Sequence, residues 1–569
     1  MVIVVGLLTA IGASVSTAAD VVDEQYKYYQ NPSPDRVGVT IGAGMESFFY
    51  ERSLLYSPSV DKENPLQGTG FCSSLEDIKC STAKFLHYSA ILPPCASLTE
   101  VDCIESVYAV VPTSPDRIKG FYRESLDKVA NPYKADPENG LPQGSVEGVW
   151  EIPNVKHGGN TSDYVAIVAR VGEIRHQGTK WIAAPPGQFT GNGSFVSDRP
   201  LGDLRAAIFP TNLIKDSGYN PKFSRLDPQP THNSLLTSTA GISTEGCASV
   251  GEGICALRQP FPQDVRFGMA IRLSKVISGW VHGRINSPNI DYEVTSYGSR
   301  IDIQGEAMRV PVVSGYANPT DLSLKDTDMS SPGIKAGESM GWDSNAPLAM
   351  DMVRIFGKAL KDTALTNPSQ WSAYSLPERD IASANECIKS SRTLAGLVTT
   401  NSTTYAATPP IYNASTGSLD YKVASLHFLP GGKVFQGTYD LYIDSKVARC
   451  IYKFSDAPIS ATVSITSSDG GQQSIASTVV SEKNGWLHLS ARNFTFSSPT
   501  LKVKLTQKVA LPTPNATSTA NNPALPAEPI AAASPLRPVK TSTLTCSKGK
   551  IIKKVTGNNP RCPIGFKRK

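Results

Sequence analysis

Residues 437–465 read GTYDLYIDSKVARCIYKFSDAPISATVSI. Apolar and polar side chains alternate through Gly437–Ile443 and again after Pro458. A period of two puts one face of a pleated strand into a core and the other into water. Working outward, strand-like segments fall at Tyr421–Phe428, Gly437–Ile443, Lys446–Phe454, Ser460–Ser467, Gln473–Val480, Gly485–Ser490 and Thr500–Thr506. The turn signals Pro430-Gly431-Gly432, Asp456-Ala457-Pro458, Asp469-Gly470-Gly471 and Asn484-Gly485 separate them. Short strands at this spacing predict an antiparallel β-sandwich over residues 420–507.

Upstream the same pattern recurs in longer form. Tyr164–Val171 and Phe267–Leu273 are strand-like, and Arg300–Val313 alternates with Ile301, Ile303, Ala307 and Val310 on one face. Long Pro/Gly-rich connections join them, so residues 20–330 read as a large, loop-rich β region of one or two parts. Between it and the sandwich, residues 331–419 read as a helical connecting segment. Asp343 or Ser344 caps an expected helix with the apolar stripe Ala346, Leu348, Met350, Met352, Val353, Phe356 and Leu360, where the methionines are core packing. A second helix is expected from Glu378 toward Leu397, carrying Cys387. The fold class is therefore mainly β and multidomain, and 569 residues suffice for two to four cores.

Ten cysteines, an even number, favour an oxidising compartment. Cys72/Cys80, Cys95/Cys103 and Cys247/Cys255 share one spacing, and their texts CSSLEDIKC, CASLTEVDC and CASVGEGIC resemble one another, which predicts one stapled loop used three times. Each staple is worth about 2.5 kcal/mol on the chain-entropy model. Cys387 with Cys450 is expected as a long-range bridge and Cys546 with Cys562 as a clasp near the end. No CxxC occurs and no histidine stands at ligand spacing, so neither metal nor cofactor is expected.

Both ends of the chain speak for export. Val2–Val15 is an apolar run of signal-peptide length, though no Lys or Arg precedes it, and Thr17-Ala18-Ala19 is a cleavage site that would leave residues 1–19 behind. No later run reaches the roughly 18 apolar residues of a membrane-spanning helix. At the other end, a Pro/Ala/Thr-rich linker at 508–541 leads to a tail, 542–569, with Lys548, Lys550, Lys553, Lys554, Arg561, Lys567, Arg568 and Lys569 and no acid. Those eight positives exceed the whole formal excess of +5, so the body is slightly acidic and offers no nucleic-acid footprint. With Ile551, Ile552, Val555, Ile564 and Phe566 between the charges, the tail reads as a small hairpin that binds anionic envelope polymers or glycans.

Catalytic motifs are sparse. Gly337-Glu338-Ser339-Met340-Gly341 matches the G-x-S-x-G elbow, but that elbow needs a buried strand before it and a helix directly after, whereas residues 326–336 are polar. A structural turn is the better expectation. Asp326, Asp328 and Ser330 begin like a calcium loop, yet Ser331 and Gly337 stand where Gly and Glu are required. Glu147, Glu151, Asp302 and Glu306 are candidate glycosidase acids whose default is solvated surface. Trp150, Trp181, Trp280 and Trp486 suit sugar stacking, with burial in a β core as the default.

The phrases LDYKVASLHFLPGG, GTYDLYIDSKVARCIYKFSDAPISATVSI, VSEKNGWLHLSARNFTFSSPTLKVKL and TCSKGKIIKKVTGNNPRCPIGFKRK resemble a group of large secreted actinobacterial proteins, as do LPPCASLTEVDCIESV and GWVHGRINSPNIDYEV. The resemblance implies export, a C-terminal sandwich and a basic two-cysteine terminus, and carries no activity with it. The expected function is a secreted cell-surface protein with a binding, adhesion or envelope-structural role. The alternative is a secreted hydrolase of polysaccharides or esters that uses the sandwich as an accessory module.

Overall fold

A computed structural model of the chain describes residues 32–42, 53–57, 70–78, 80–81, 83, 85–126, 133–177, 180–183, 204–215, 247–251, 254–322, 336–346, 348–376, 378–456, 459–466, 472–473, 477–496, 500–507, 542–548, 551–557 and 567–568. The fold is mainly β. Contacts divide the chain into two units, residues 1–509 and 510–569. The expected leader (1–19) and linker (508–541) lie outside the described residues.

One large sheet dominates the first unit. Its neighbours, in order, are Gly70–Phe71, Leu54–Ser57, Phe85–Ile91, Asp163–Gln177, Leu204–Lys215, Ser369–Ser375, Gly279–Thr295, Leu394–Thr400, Gly437–Asp444, Trp486–Phe494 and Ser477–Lys483. All pairs are antiparallel except Gly279–Thr295 with Leu394–Thr400. The sheet thus runs unbroken through the expected first region, the connecting segment and the sandwich.

A second sheet packs on one face of it. Cys103–Val110, Arg266–Leu273 and Gly298–Arg309 lie side by side, and Gly298–Arg309 also pairs with the far half of Gly279–Thr295, which therefore belongs to both sheets. Between the layers lie Val107, Phe267, Met269, Ile271, Ile301 and Ile303 from one sheet and Ala166, Val168, Val281, Trp371 and Leu397 from the other. A third sheet, built from Ser418–Ala424, Thr500–Gln507 and Ile459–Thr466, covers the opposite face. There Tyr421, Val423, Leu501 and Val503 meet Trp280, Tyr439, Leu441, Leu487 and Leu489. The strands of 420–507 make a sandwich-like pair, one face of which is the far end of the large sheet.

Three local expectations change. Lys446–Phe454 is not a strand: Ser445–Tyr452 is a helix, because the Asp444 carboxylate accepts from the Lys446 (2.8 Å) and Val447 (3.0 Å) amides and caps it, and Val447, Ala448 and Ile451 then share a buried face. The first expected helix starts only at Ala349 and ends at Gly357, because Ser339–Asp343 is a strand paired parallel to Val37–Gly42, whose other side holds Val313–Ala317. The second shrinks to Glu378–Ile381 and Glu386–Lys389, because Leu394–Thr400 is a fully buried strand of the large sheet. Cys387 and Cys450 are bridged, joining two of these short helices.

The loops of Cys72–Cys80 and Cys95–Cys103 are also bridged, and in both a backbone amide just past the first cysteine bonds a carboxylate four residues on, Ser73 to Asp77 and Ala96 to Glu100. The third text folds differently: Cys247–Gly251 and Ile254–Arg258 are the arms of a β-hairpin with Cys255 opposite Val250. Among the described residues no cysteine is free.

Candidate functional site

Gly279–Thr295 pairs in both sheets, and a polar cluster gathers where it passes from one to the other. Its register slips between Asn286 and Asn289, at Ser287-Pro288. Proline has no amide hydrogen for the ladder and disfavours helical φ/ψ in the residue before it. Ser287 nevertheless sits at φ 48°, a left-handed conformation that a non-glycine residue holds only when its surroundings impose it. Two guanidinium groups supply that restraint. Arg266 Nη2 donates to the Ser287 carbonyl at 2.8 Å and Arg492 Nη2 to its hydroxyl at 3.1 Å.

Arg492 is itself fixed. It gives two bonds to the fully buried Asp440 carboxylate, at 2.8 and 2.7 Å, and His488 Nε2 approaches the same carboxylate at 3.0 Å. The His488 ring stacks on Tyr442 with centroids 4.1 Å apart, and the Tyr442 hydroxyl donates to the Pro288 carbonyl at 2.5 Å. Burial, helped by Asp440, pushes the Tyr442 phenol up to about 12, so it stays a donor at any physiological pH. On the other side of the bend Asn286 Nδ2 donates to Glu306 at 2.8 Å, with Arg266 at 3.9 Å.

A second polar set continues along Gly298–Arg309. Asp302 is buried and accepts from the Tyr108 hydroxyl at 2.5 Å and Arg117 Nη1 at 2.6 Å, with Arg300 Nη2 at 3.5 Å. Tyr108 lies across Gly268, where a Cβ would come within 2.2 Å of the ring. Glu105 accepts from Arg272 Nε at 3.0 Å and from Arg300 Nε and Nη2 at 2.9 and 3.0 Å, and the Arg300 bonds hold its carboxyl below the usual range. Guanidinium and phenol donors thus hold both carboxylates in place as parts of a charge scaffold.

The sequence candidates are scattered by the fold. Of the acids, Asp302 and Glu306 share the polar face just described, Glu147 is buried elsewhere and Glu151 is exposed at a strand end. The solvated-surface default therefore fails for Glu147 and Asp302. Trp150 and Trp280 are buried, Trp486 is half-buried beside the central core, and Trp181 lies in the strand Lys180–Ala183. Ser339 opens a strand opposite Gly38, preceded by a turn at Gly337 with φ 84°, and the helix begins ten residues later. The two histidines that follow Ser339 in the sequence are engaged by acids on other elements, His427 by Asp362 and His488 by Asp440. Asp326, Asp328, Ser330 and Ser331 lie outside the described residues, as do Cys562, Lys550, Arg561 and Lys569.

In the second unit Ser542–Lys548 is central, flanked by Ile551–Gly557 and Lys567–Arg568. Cys546 stands opposite Lys553 on one side and Arg568 on the other, while Ser547 stands between Ile552 and Lys567. Lys567 and Arg568 are exposed.

Sequence reading missed Ser287, Arg266, Arg492 and Asp440. A proline inside the otherwise strand-like run from Gly279 to Thr295 was the available signal for a bulge. Among the described residues no helix is long and apolar enough to cross a membrane, and no group of three or more His, Cys, Asp or Glu is arranged to hold a metal ion. No family model, curated protein or solved structure matches the chain.

Proposed function

We propose that the protein is exported and acts at the cell surface in binding, adhesion or envelope structure, held non-covalently to anionic polymers by its basic tail. The resemblance to secreted actinobacterial proteins belongs to the same proposal. The observation that carries it is the tail sheet, which takes Lys548, Lys553, Lys554, Lys567 and Arg568 from three adjacent strands. A small sheet whose strands carry several cations and no acid attracts a polyanion. Bridged cysteines in the first unit support an oxidising destination. The hydrolase alternative is weaker, since Asp302 and Glu105 are engaged by arginines.

Retention on an immobilised polyphosphate matrix tests this. The full chain should bind at low salt and elute as sodium chloride rises, and a chain ending at Gln507 should flow through. Equal retention of the two chains would refute the role of the tail.

A further inference from the structure

The Cys95–Cys103 loop sits where the large sheet and the second sheet meet. Its base is closed by backbone bonds from Cys95 N to the Ile104 carbonyl (2.9 Å) and from Ile104 N to the Pro93 carbonyl (2.8 Å), and by the bridge between Cα atoms 4.9 Å apart. What it turns inward is a set of acceptors. Asp102, at φ 56°, accepts from Arg170 Nη1 and from the Ser274 amide at 3.1 Å. The carbonyls of Ser97 and Glu100 accept from Arg272 Nη1 at 2.9 and 3.3 Å.

Those two arginines belong to different layers. Arg170 is 2% exposed on Asp163–Gln177 of the large sheet, and Arg272 is 7% exposed on Arg266–Leu273 of the facing one. Arg272 Nε keeps Glu105 and Arg170 keeps the Ser274 hydroxyl whatever the loop does, but the loop supplies the Asp102 carboxylate to Arg170 and both acceptors of Arg272 Nη1, and losing a charge partner from a buried guanidinium is costly. One small loop therefore serves a buried cation in each of two packed sheets, and the bridge keeps it closed.

We propose that the Cys95–Cys103 loop is a redox-sensitive latch between the two sheets. Closed, it holds Asp102 and the two carbonyls on Arg170 and Arg272; opened by a dithiol reductant, it releases them and loosens the sheet pair. Cys95 is half-exposed and Cys103 is buried, so the reductant's thiolate attacks Cys95 sulfur, forms a mixed disulfide and expels Cys103 as a thiolate. The second thiol of the reductant then displaces Cys95. Two electrons and two protons pass to the protein, which ends with two thiols, and the dithiol ends as a disulfide.

Hydrogen–deuterium exchange on the whole chain tests the latch, with dithiothreitol as the reductant. In Cys95→Ser/Cys103→Ser, and in Asp102→Asn with the bridge intact, amides at Val168–Val171 and Arg272–Ile277 should exchange faster by about tenfold, while Cys72→Ser/Cys80→Ser leaves them unchanged. Wild-type rates in both of the first two variants would overturn the latch. Should the double-cysteine variant not fold, dithiothreitol titration of the wild-type chain with thiol mapping decides instead. Exchange that rises in step with thiols at Cys95 and Cys103 upholds the latch, and exchange that stays constant once both are alkylated overturns it.

Discussion

Gly396 and His282 show how tightly single residues are held at the junction of the layers. A Cβ on Gly396 would stand 2.4 Å from the fully buried Trp280 ring and 2.7 Å from the Tyr442 carbonyl, and the carbonyl is backbone that cannot swing away. Gly396→Ala should therefore destabilise the fold by about 1–3 kcal/mol, read as a lower urea midpoint. His282 lies among Tyr374, Tyr405 and Tyr421, its two nitrogens 3.3 Å from the Tyr374 and Tyr421 hydroxyls. Burial, with the neighbouring Arg284 charge acting in the same direction, lowers it from 6.5 to about 3. The unfolded chain binds a proton between those values that the folded chain refuses. This contribution is complete above pH 6.5 and is lost as pH falls toward 3, at on the order of 1 kcal/mol per pH unit. Urea midpoints measured from pH 7 to pH 4 should fall accordingly, and His282→Gln should flatten the slope. None of this was legible in the sequence, where Gly396 and His282 carry no local mark and their neighbours come from strands far apart in the chain.

At the scale of elements, legibility followed the range of the cause. Strands bounded by Pro, Gly and Asn turns were placed within a few residues, as at Gly437–Asp444, Arg266–Leu273 and Thr500–Gln507. Ser445–Tyr452 reads as a strand when only its β-branched and aromatic residues are weighed, whereas the cap at Asp444 and the i, i+1, i+4 spacing of Val447, Ala448 and Ile451 decide for the helix. Asp444→Ala should cost about 1 kcal/mol through loss of that cap, measurable by denaturation. The helix also carries Cys450, whose bridge to Cys387 closes 63 residues of chain. Replacing both by serine should destabilise by about 4 kcal/mol on the chain-entropy model. The strand Val37–Gly42 illustrates what local pattern leaves out: its partners start 276 and 302 residues later in the register Val37 with Ala317 and Gly38 with Ser339 reversed or parallel, a pairing that only the folded core of Val39, Val313, Met352 and Phe356 selects.

Across the whole molecule, a composition low in charge and rich in turns announced a β protein, but the continuity of one sheet through three expected segments was set by long-range pairing. The candidate site behaved likewise. Asp302 and Glu306 stand on an alternating strand with Arg300, while Arg117 and Arg266 reach that face from a distant loop and a neighbouring strand whose register no local pattern encodes. We propose that this chain leaves the cytosol and oxidises its ten cysteines in pairs. Thiol trapping of the native protein from fractionated cells, followed by non-reducing peptide mapping, decides between export and retention. The protein should be recovered from the envelope or medium with Cys72–Cys80, Cys95–Cys103 and Cys387–Cys450 linked; recovery from the cytosol with these cysteines alkylated as free thiols would contradict it.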